Sequence, residues 1–225
     1  MITLKNLSKS YGFKCVLKNI NIEFKEGMVY GIMGENGAGK TTLFRCIADL
    51  ENFEGIVESD LSPLKDHLGF LFTEPYFFTK ITGIEYIRLL CNARKKEVTN
   101  IKDKNIFELP LNDYVSTYSS GMKKKLALFA VLLQQNQYYV LDEPFNGVDI
   151  HSNIIIVELI KKLKTSGKTV IISSHIFSTL SDTCDEIHLM KHGEIVKMVT
   201  SEGFNSLERE MKEYTIENKI DKLNL

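Results

Sequence analysis

The sequence predicts an α/β fold, a mainly parallel β-sheet with helices on its faces, and three observations predict it. A near-continuous apolar run at 28–33 enters a glycine-rich loop, Gly-Glu-Asn-Gly-Ala-Gly-Lys-Thr-Thr at 34–42, which a helical pattern follows. Strand, loop and helix thus occur in the order a phosphate-binding unit requires. From Tyr138 onward strand and helix patterns alternate strictly, as parallel strands joined by helical crossovers do. The composition, 44% hydrophobic and 25% charged over 225 residues, is that of a soluble globular chain.

Taken in order, residues 2–5 and 20–24 read as short strands, and 28–33 as a strand buried on both faces. A helix is expected over 43–50 and a strand over 68–72. Helices follow at 83–96 and 121–135, the second apolar almost all round and therefore buried. The polar stretch between them reads as helix-rich. Then come strand 138–141, helix 152–164, strand 169–173 and helix 176–184. Segments 186–190 and 194–199, joined at His192-Gly193, predict a closing hairpin. The tail from Ser201 carries Phe204, Leu207, Met211 and Tyr214 at helical spacing, so it is expected to dock one face and end frayed.

Charge and hydropathy exclude several classes. With 28 basic and 29 acidic residues the net charge is -1, which leaves no cationic excess to neutralise a nucleic-acid backbone or an anionic lipid surface. No nucleic-acid partner is expected. The densest apolar stretch, 126–133, spans eight residues against the roughly 18 to 20 needed to cross a bilayer. The N-terminal residues lack the hydrophobic core of a secretory signal, which predicts a cytoplasmic protein. Cys15, Cys46, Cys91 and Cys184 are widely spaced without a C-x-x-C pair and read as small buried hydrophobes.

Residues 34–41 fit G-x-x-x-x-G-K-[ST]. The glycines let backbone N–H groups converge on phosphate oxygens, Lys40 supplies a charge to the β- and γ-phosphates, and the Thr41 hydroxyl can ligate Mg2+. The flanking strand and helix favour this over a glycine turn with an incidental lysine. Tyr-Tyr-Val-Leu-Asp-Glu at 138–143 is an apolar strand ending in two carboxylates, which the pleat places on opposite sides. Asp142 would then hold the Mg2+ shell, and Glu143 would orient or deprotonate the attacking water. By itself the pair reads equally as a solvated strand end; beside the glycine loop the functional reading prevails.

Tyr11, the loop at 34–42, Tyr-Ser-Ser-Gly-Met at 118–122, Asp142-Glu143 with Pro144, Asn-Gly-Val-Asp at 146–149 and Ser174-His175 together resemble the nucleotide-binding subunits of ABC transporters, over residues 1 to about 200. The resemblance implies one ABC ATPase domain over 1–225. It would have a P-loop NTPase core, an antiparallel β subdomain, a helical subdomain at about 74–135 and a C-terminal tail at about 201–225. It also implies an ATP site of Tyr11, Gly34, Asn36, Gly37, Ala38, Gly39, Lys40, Thr41 and Thr42, with Tyr11 stacked on adenine and Mg2+ held by Thr41 and Asp142. Glu143 and His175 would be catalytic, the imidazole reaching the γ-phosphate. Ser119 and Gly121 would contact ATP bound to the opposite subunit, and Asp149 would communicate across that dimer. The implied partners are a second copy, on ATP binding, and a transmembrane permease that holds the chain at the inner face of the cell membrane.

Two places depart from the family's pattern. The signature segment has Tyr118 for Leu, Ser120 for the first Gly and Met122 for Gln, while Ser119 and Gly121 are kept. After the strand at 68–72, Thr73 and Glu74 stand where the family has a glutamine that links Mg2+ to the membrane partner. Thr73, being shorter, is expected to touch Mg2+ only through water. Lys123-Lys124-Lys125 reads as a solvated helix face.

The short segment at 74–83 and the brief tail resemble small ABC-2 and antibiotic-peptide exporter ATPases, by fold-level analogy. The alternative is a soluble ABC-type ATPase outside transport. Against it stand a single glycine loop and the absence of sustained heptads between Lys40 and Ser119. A small-molecule kinase would want a phosphate-clamping lid, which four scattered arginines do not offer. Glu143 and His175 disfavour a non-catalytic nucleotide-binding regulator.

Overall fold

The computed structural model describes the backbone of residues 1–215 and the side chains of residues 1–210. Strand β1 (Ile2–Tyr11) turns at Gly12-Phe13 into β2 (Lys14–Phe24), and both are longer than the alternation predicts. β3 (Val29–Met33) is buried at every residue, as its unbroken apolar run requires. Helix α1 (Lys40–Ile47) starts within the glycine loop itself. β4 (Glu54–Ser59), which the sequence does not announce, pairs with β1. Its Glu-Gly-Ile-Val-Glu-Ser sequence is mostly exposed and carries little apolar signal.

β5 (Leu68–Leu71), α2 (Gly83–Ala93), α3 (Ser120–Leu133) and β6 (Tyr138–Asp142) follow, then α4 (Ile150–Thr165), β7 (Thr169–Ser174) and α5 (Phe177–Ser181). The chain closes with β8 (Glu186–Lys191), β9 (Glu194–Thr200) and α6 (Phe204–Thr215). The expected helix-rich stretch before α3 is instead irregular, with one short 3-10 turn at Val115–Thr117. Lys95, Asn100 and Glu108 adopt left-handed φ there, which breaks any helix. The stretch is nonetheless fixed, because Ile101, Phe107, Leu109, Leu111 and Val115 are buried. In the tail, Phe204 and Leu207 dock as expected, Phe204 edge-on to Phe177. The side chains of Met211 and Tyr214, and any fraying beyond residue 215, lie outside the described residues.

Two sheets result. The six-stranded sheet has the order β5-β6-β7-β3-β8-β9, parallel except for β9, and the small antiparallel sheet has the order β2-β1-β4. Between them lies one core, with Ile2, Leu4, Phe24, Tyr30, Phe44 and Tyr138, while the other face of the large sheet packs on α2, α3 and α4. Cys46, Cys91 and Cys184 are buried, but Cys15 is exposed on β2, a strand of the small sheet that presents one face to water.

Parallel pairing fixes where function can sit. Met33 is level with Ser174, and Asp142 with Ser173, so the chain segments after β3, β6 and β7 all emerge along one sheet edge. Ligands of open parallel sheets bind outside that edge. The β8–β9 hairpin braces it: Gly193 N–H donates to the Ala38 carbonyl at 3.0 Å and Lys18 N–H donates to the Gly193 carbonyl at 2.9 Å. His192 and Gly193 have φ of 48° and 83°, the left-handed pair a two-residue hairpin needs. A Cβ at Gly193 would meet the Val16 carbonyl at 2.2 Å. Gly193→Ala is therefore expected to destabilise the fold by about 2 kcal/mol or more, read as a lower urea midpoint at unchanged m-value.

Candidate functional site

The loop at 34–41 is shaped by its close neighbours. A Cβ at Gly34 would meet the Met190 carbonyl at 2.5 Å, and Gly39, the N-cap of α1, has φ 112°. Both positions exclude other residues. The loop carries the free N–H groups of the α1 N-terminus, which suit an anion. Lys40, buried at its root, donates from Nζ to the Gly34 carbonyl at 2.7 Å and lies 3.4 Å from Glu143 Oε1.

Asp142 is fully buried at the end of β6. Its Oδ2 accepts from the Thr41 hydroxyl at 2.7 Å and from the Thr73 hydroxyl, and its Oδ1 accepts from the Ser173 hydroxyl. Glu143 does not continue the pleat as expected. It turns left-handed, with φ 49°, its N–H donating to Ser173 Oγ at 2.9 Å. Both carboxylates therefore stay on the same rim but face different groups. Glu143 Oε2 lies 3.0 Å from His175 Nδ1, while its buried Oε1 has Lys40 within ion-pair range and no hydrogen-bond partner.

Thr73 thus reaches the carboxylate directly despite its short side chain. Thr41, Thr73 and Asp142 form a compact set of hard oxygen donors of the kind Mg2+ takes together with substrate phosphates. Among the described residues no group of three or more His, Cys, Asp or Glu side chains could hold a metal by itself. The glycine loop, the two acids and His175 converge here from three strand ends.

The other sequence-predicted residues fall into two groups. Tyr11 and Thr42 lie beside the loop. The Tyr11 ring is half-exposed under the Lys9 ammonium at 4.6 Å, and burial, with Glu51 at its hydroxyl, pushes the phenol up. Asn36 and Gly37 are exposed on the loop and Ala38 is buried in it. Ser119, Gly121 and Asp149 sit elsewhere and touch none of the loop's residues by any hydrogen bond among the described residues. Ser119 caps α3 through Met122 N–H at 3.2 Å, and a Cβ at Gly121 would lie 2.7 Å from the Gly147 carbonyl. Asp149 caps α4, and Ser152 with Lys125 holds its carboxyl well below the usual range.

Two residues that contact the site escape a reading by motif. Ser173 hides inside an apolar strand. Lys124 is one of three lysines taken as a solvated face, yet it is buried and its Nζ donates to the carbonyls of Phe72, Thr73 and Asp142. Burial pushes this ammonium down to about 8, against the opposing pull of Asp142, Glu143 and Glu74. The helical period supplied a signal, since 124 shares a face with the buried Leu128 and Val131. Lys125 also leaves the solvent, pairing with Asp149 at 3.1 Å.

Residues 17–146 match the ABC transporter family profile. The chain belongs to the ABC transporter family. Among relatives, it is 29% identical to the bacitracin transport ATP-binding protein BcrA of Enterococcus faecalis, over 96% of this chain and 74% of that one. It is 29% identical to the lantibiotic transport ATP-binding protein SrtF of Streptococcus pyogenes, over 92% of this chain and 94% of that one. Among solved structures, the dimeric ATP-binding cassette MJ0796 bound to ADP and Pi in a post-hydrolysis state superposes with a TM-score of 0.81 at 25% identity, over 89% of this chain and 99% of that one. This ABC transporter subunit is an ATP-binding, ATP-hydrolysing protein. Among its described residues no helix is long and apolar enough to cross a membrane.

In this ABC ATPase Ser173 serves both acids at once. Ser173→Ala would strand a buried Asp142 oxygen and the Glu143 N–H, and is expected to cost about 1–3 kcal/mol, read by urea denaturation of the nucleotide-free protein.

Proposed function

We propose that this subunit hydrolyses MgATP at a site closed by a second copy of itself and energises a transmembrane permease for export. The observation that carries the reading is the convergence of Lys40, Thr41, Asp142, Glu143 and His175 at adjacent strand ends, with Glu143 aimed between the loop and the imidazole. Bound phosphates would take Lys40 from the loop carbonyls it now satisfies, and Thr41 with Asp142 would hold Mg2+. Mg2+ held there would supply charge neutralisation to the transferring phosphoryl group. Glu143, freed from Lys40, accepts the proton of the attacking water, and His175 holds Glu143 in place and can donate to the γ-phosphate. Gly34, Asn36, Gly37, Ala38, Gly39 and Thr42 cradle the phosphates, and Tyr11 offers its exposed ring to adenine.

Ser119 is exposed and Gly121 half-buried at the N-terminus of α3, away from this copy's own loop, which suits contact with a nucleotide bound to an opposing subunit. MJ0796 is dimeric with ADP and Pi, which supports this arrangement. Asp149 is half-exposed, and the nearby Gly147 carbonyl faces Gly121, which supports a role for Asp149 in communication across such a dimer. For the permease, an apolar cleft between the Thr73 segment and α2, with Phe72, Tyr76, Phe78 and Leu89 exposed, offers a docking face. BcrA and SrtF serve bacitracin and lantibiotic transport, which supports export of a peptide antibiotic or a similar amphipathic compound. The subunit would then sit at the inner face of the membrane through the permease.

Glu143→Gln is expected to bind ATP within a few-fold of wild type and to lose at least about 100-fold in turnover. It should run as a dimer with ATP and Mg2+ on size exclusion. His175→Ala should lower turnover by about 10-fold or more with affinity nearly unchanged. Wild-type turnover in both would refute the assigned chemistry. Gly121→Val, pressing on the Gly147 carbonyl at the α3 start, should silence the opposing site in mixed dimers. Full activity at both sites of such mixtures would remove the shared-site arrangement. Reconstitution with a permease in vesicles decides between transport and a soluble ATPase, since only transport makes ATP turnover respond to a permease substrate.

A further inference from the structure

Within one turn of its exposed N-terminus, α3 drives a lysine into the interior. Lys124 is 4% exposed, and its ammonium donates to the Thr73 carbonyl at 2.7 Å, the Asp142 carbonyl at 3.1 Å and the Phe72 carbonyl at 3.2 Å. An ammonium has three protons, and three carbonyls receive them. The place is specific. The β5–β6 ladder ends at Leu71 and Leu141, so beyond it these carbonyls have no ladder partner on the facing strand. The cation bridges the two strand ends and ties both to a third element.

We propose that Lys124 is a positioning residue for hydrolysis: by bridging these carbonyls it holds the Thr73 hydroxyl on the Asp142 carboxylate and fastens that carboxylate's strand to the helix that begins at Ser119. The proposal rests on the reading of Asp142 as the metal-binding acid. Burying an ammonium costs several kcal/mol, which a residue serving only to fill volume would not incur, since Leu or Met would fill it without loss. The three carbonyls offset that cost, and they belong to the segment bearing Thr73 and to the residue bearing the acid. Removing the ammonium leaves Asp142 Oδ2 its Thr41 donor but frees the Thr73 segment. The same segment continues into the apolar cleft at Tyr76 and Phe78, so movement there would reach Thr73 and α3 through Lys124.

The test compares Lys124→Met, which keeps the length and loses the donors, with Lys124→Arg, which restores them. Three quantities are read: affinity for a fluorescent ATP analogue in EDTA, the Mg2+ concentration giving half-maximal turnover, and amide exchange at 72–75 in the nucleotide-free protein. For Lys124→Met the expected results are affinity within about threefold, half-saturating Mg2+ raised about tenfold and exchange at 72–75 accelerated about tenfold or more. Exchange in the 34–41 loop should stay at the wild-type rate. Lys124→Arg should return at least half of the Mg2+ shift on a logarithmic scale. Wild-type Mg2+ dependence and wild-type exchange at 72–75 in Lys124→Met would overturn the proposal, as would a parallel loss of EDTA affinity and exchange protection across the whole chain, which marks a merely structural residue. If Lys124→Met does not fold, Thr73→Val decides: it leaves the ammonium in place and removes only the hydroxyl, so an Mg2+ shift of similar size supports the proposal and its absence overturns it. If the unmodified protein shows no Mg2+-dependent hydrolysis, the role of Asp142 falls instead, and the exchange measurement still decides whether Lys124 holds the segment.

Discussion

A carboxylate with no exposure to water must be satisfied entirely by the protein, and Asp142 is that constraint here. A buried charge left unpaired would destabilise by several kcal/mol. Among the described residues no cation pairs with the Asp142 carboxylate oxygens; they have three hydroxyls, from the α1 helix, the segment after β5 and strand β7. Each hydroxyl commits the position of its own element. The parallel order β5-β6-β7-β3 is what lets the donors arrive together, since it sets Ser173 level with Asp142 and turns both neighbouring segments toward it. Hydroxyl donors also leave the acid free to meet a cation, because a hydroxyl can turn its proton away and accept coordination in its place.

The adjacent glutamate is governed differently. Asp142 is held by donors on both oxygens, whereas Glu143 sits in a left-handed conformation, a cost of order 1–3 kcal/mol, with one oxygen short of a hydrogen bond. Its N–H on Ser173 Oγ fixes the turn. Two neighbouring acids thus acquire separate surroundings from one backbone reversal: one has donors on both oxygens and the other keeps an oxygen without a hydrogen bond, the difference that the proposed ligand and proton-acceptor roles need. Lys40 is kept near Glu143 by loop carbonyls, which bind an ammonium less strongly than phosphate oxygens do.

Legibility in the sequence followed how local each signal is. The parallel core was readable because β3, β6 and β7 are unbroken apolar runs, and the phosphate loop because its glycines and flanks are contiguous. β4 was not, since an exposed edge segment gains its strand character from pairing with β1 some 50 residues away. The irregular stretch before α3 read as helical from its polarity, while its left-handed residues and buried Leu109, Leu111 and Val115 are consequences of packing. Strand ends at Asp142-Glu143 could be placed, but the pleat could not announce the reversal at Glu143. The burial of Lys124 is hidden in the sequence because a run of three lysines suggests a wet surface, and only the phase of the helix distinguishes the one that turns inward. Ser119, Gly121 and Asp149 lie away from the loop within one copy, so the roles proposed for them rest on a second copy, which no local signal describes.

The departures from the family's pattern are coupled to neighbouring residues. Tyr118, where the family has leucine, donates its hydroxyl to the Pro110 carbonyl at 2.7 Å, and the hydroxyl leaves no room for a Cβ on Gly83, which would lie 2.7 Å from the Tyr118 oxygen. The tyrosine therefore requires glycine at the start of α2 and anchors the irregular stretch beneath it. Thr73, where the family has glutamine, is too short to span far from its backbone, so the backbone itself must be brought close to Asp142. Lys124 does this with a long side chain directed at the Thr73 carbonyl. Reach lost on one side of the gap is supplied from the other, and the distance between Thr73 and the acid is set by a lysine on a helix rather than by the residue at the site.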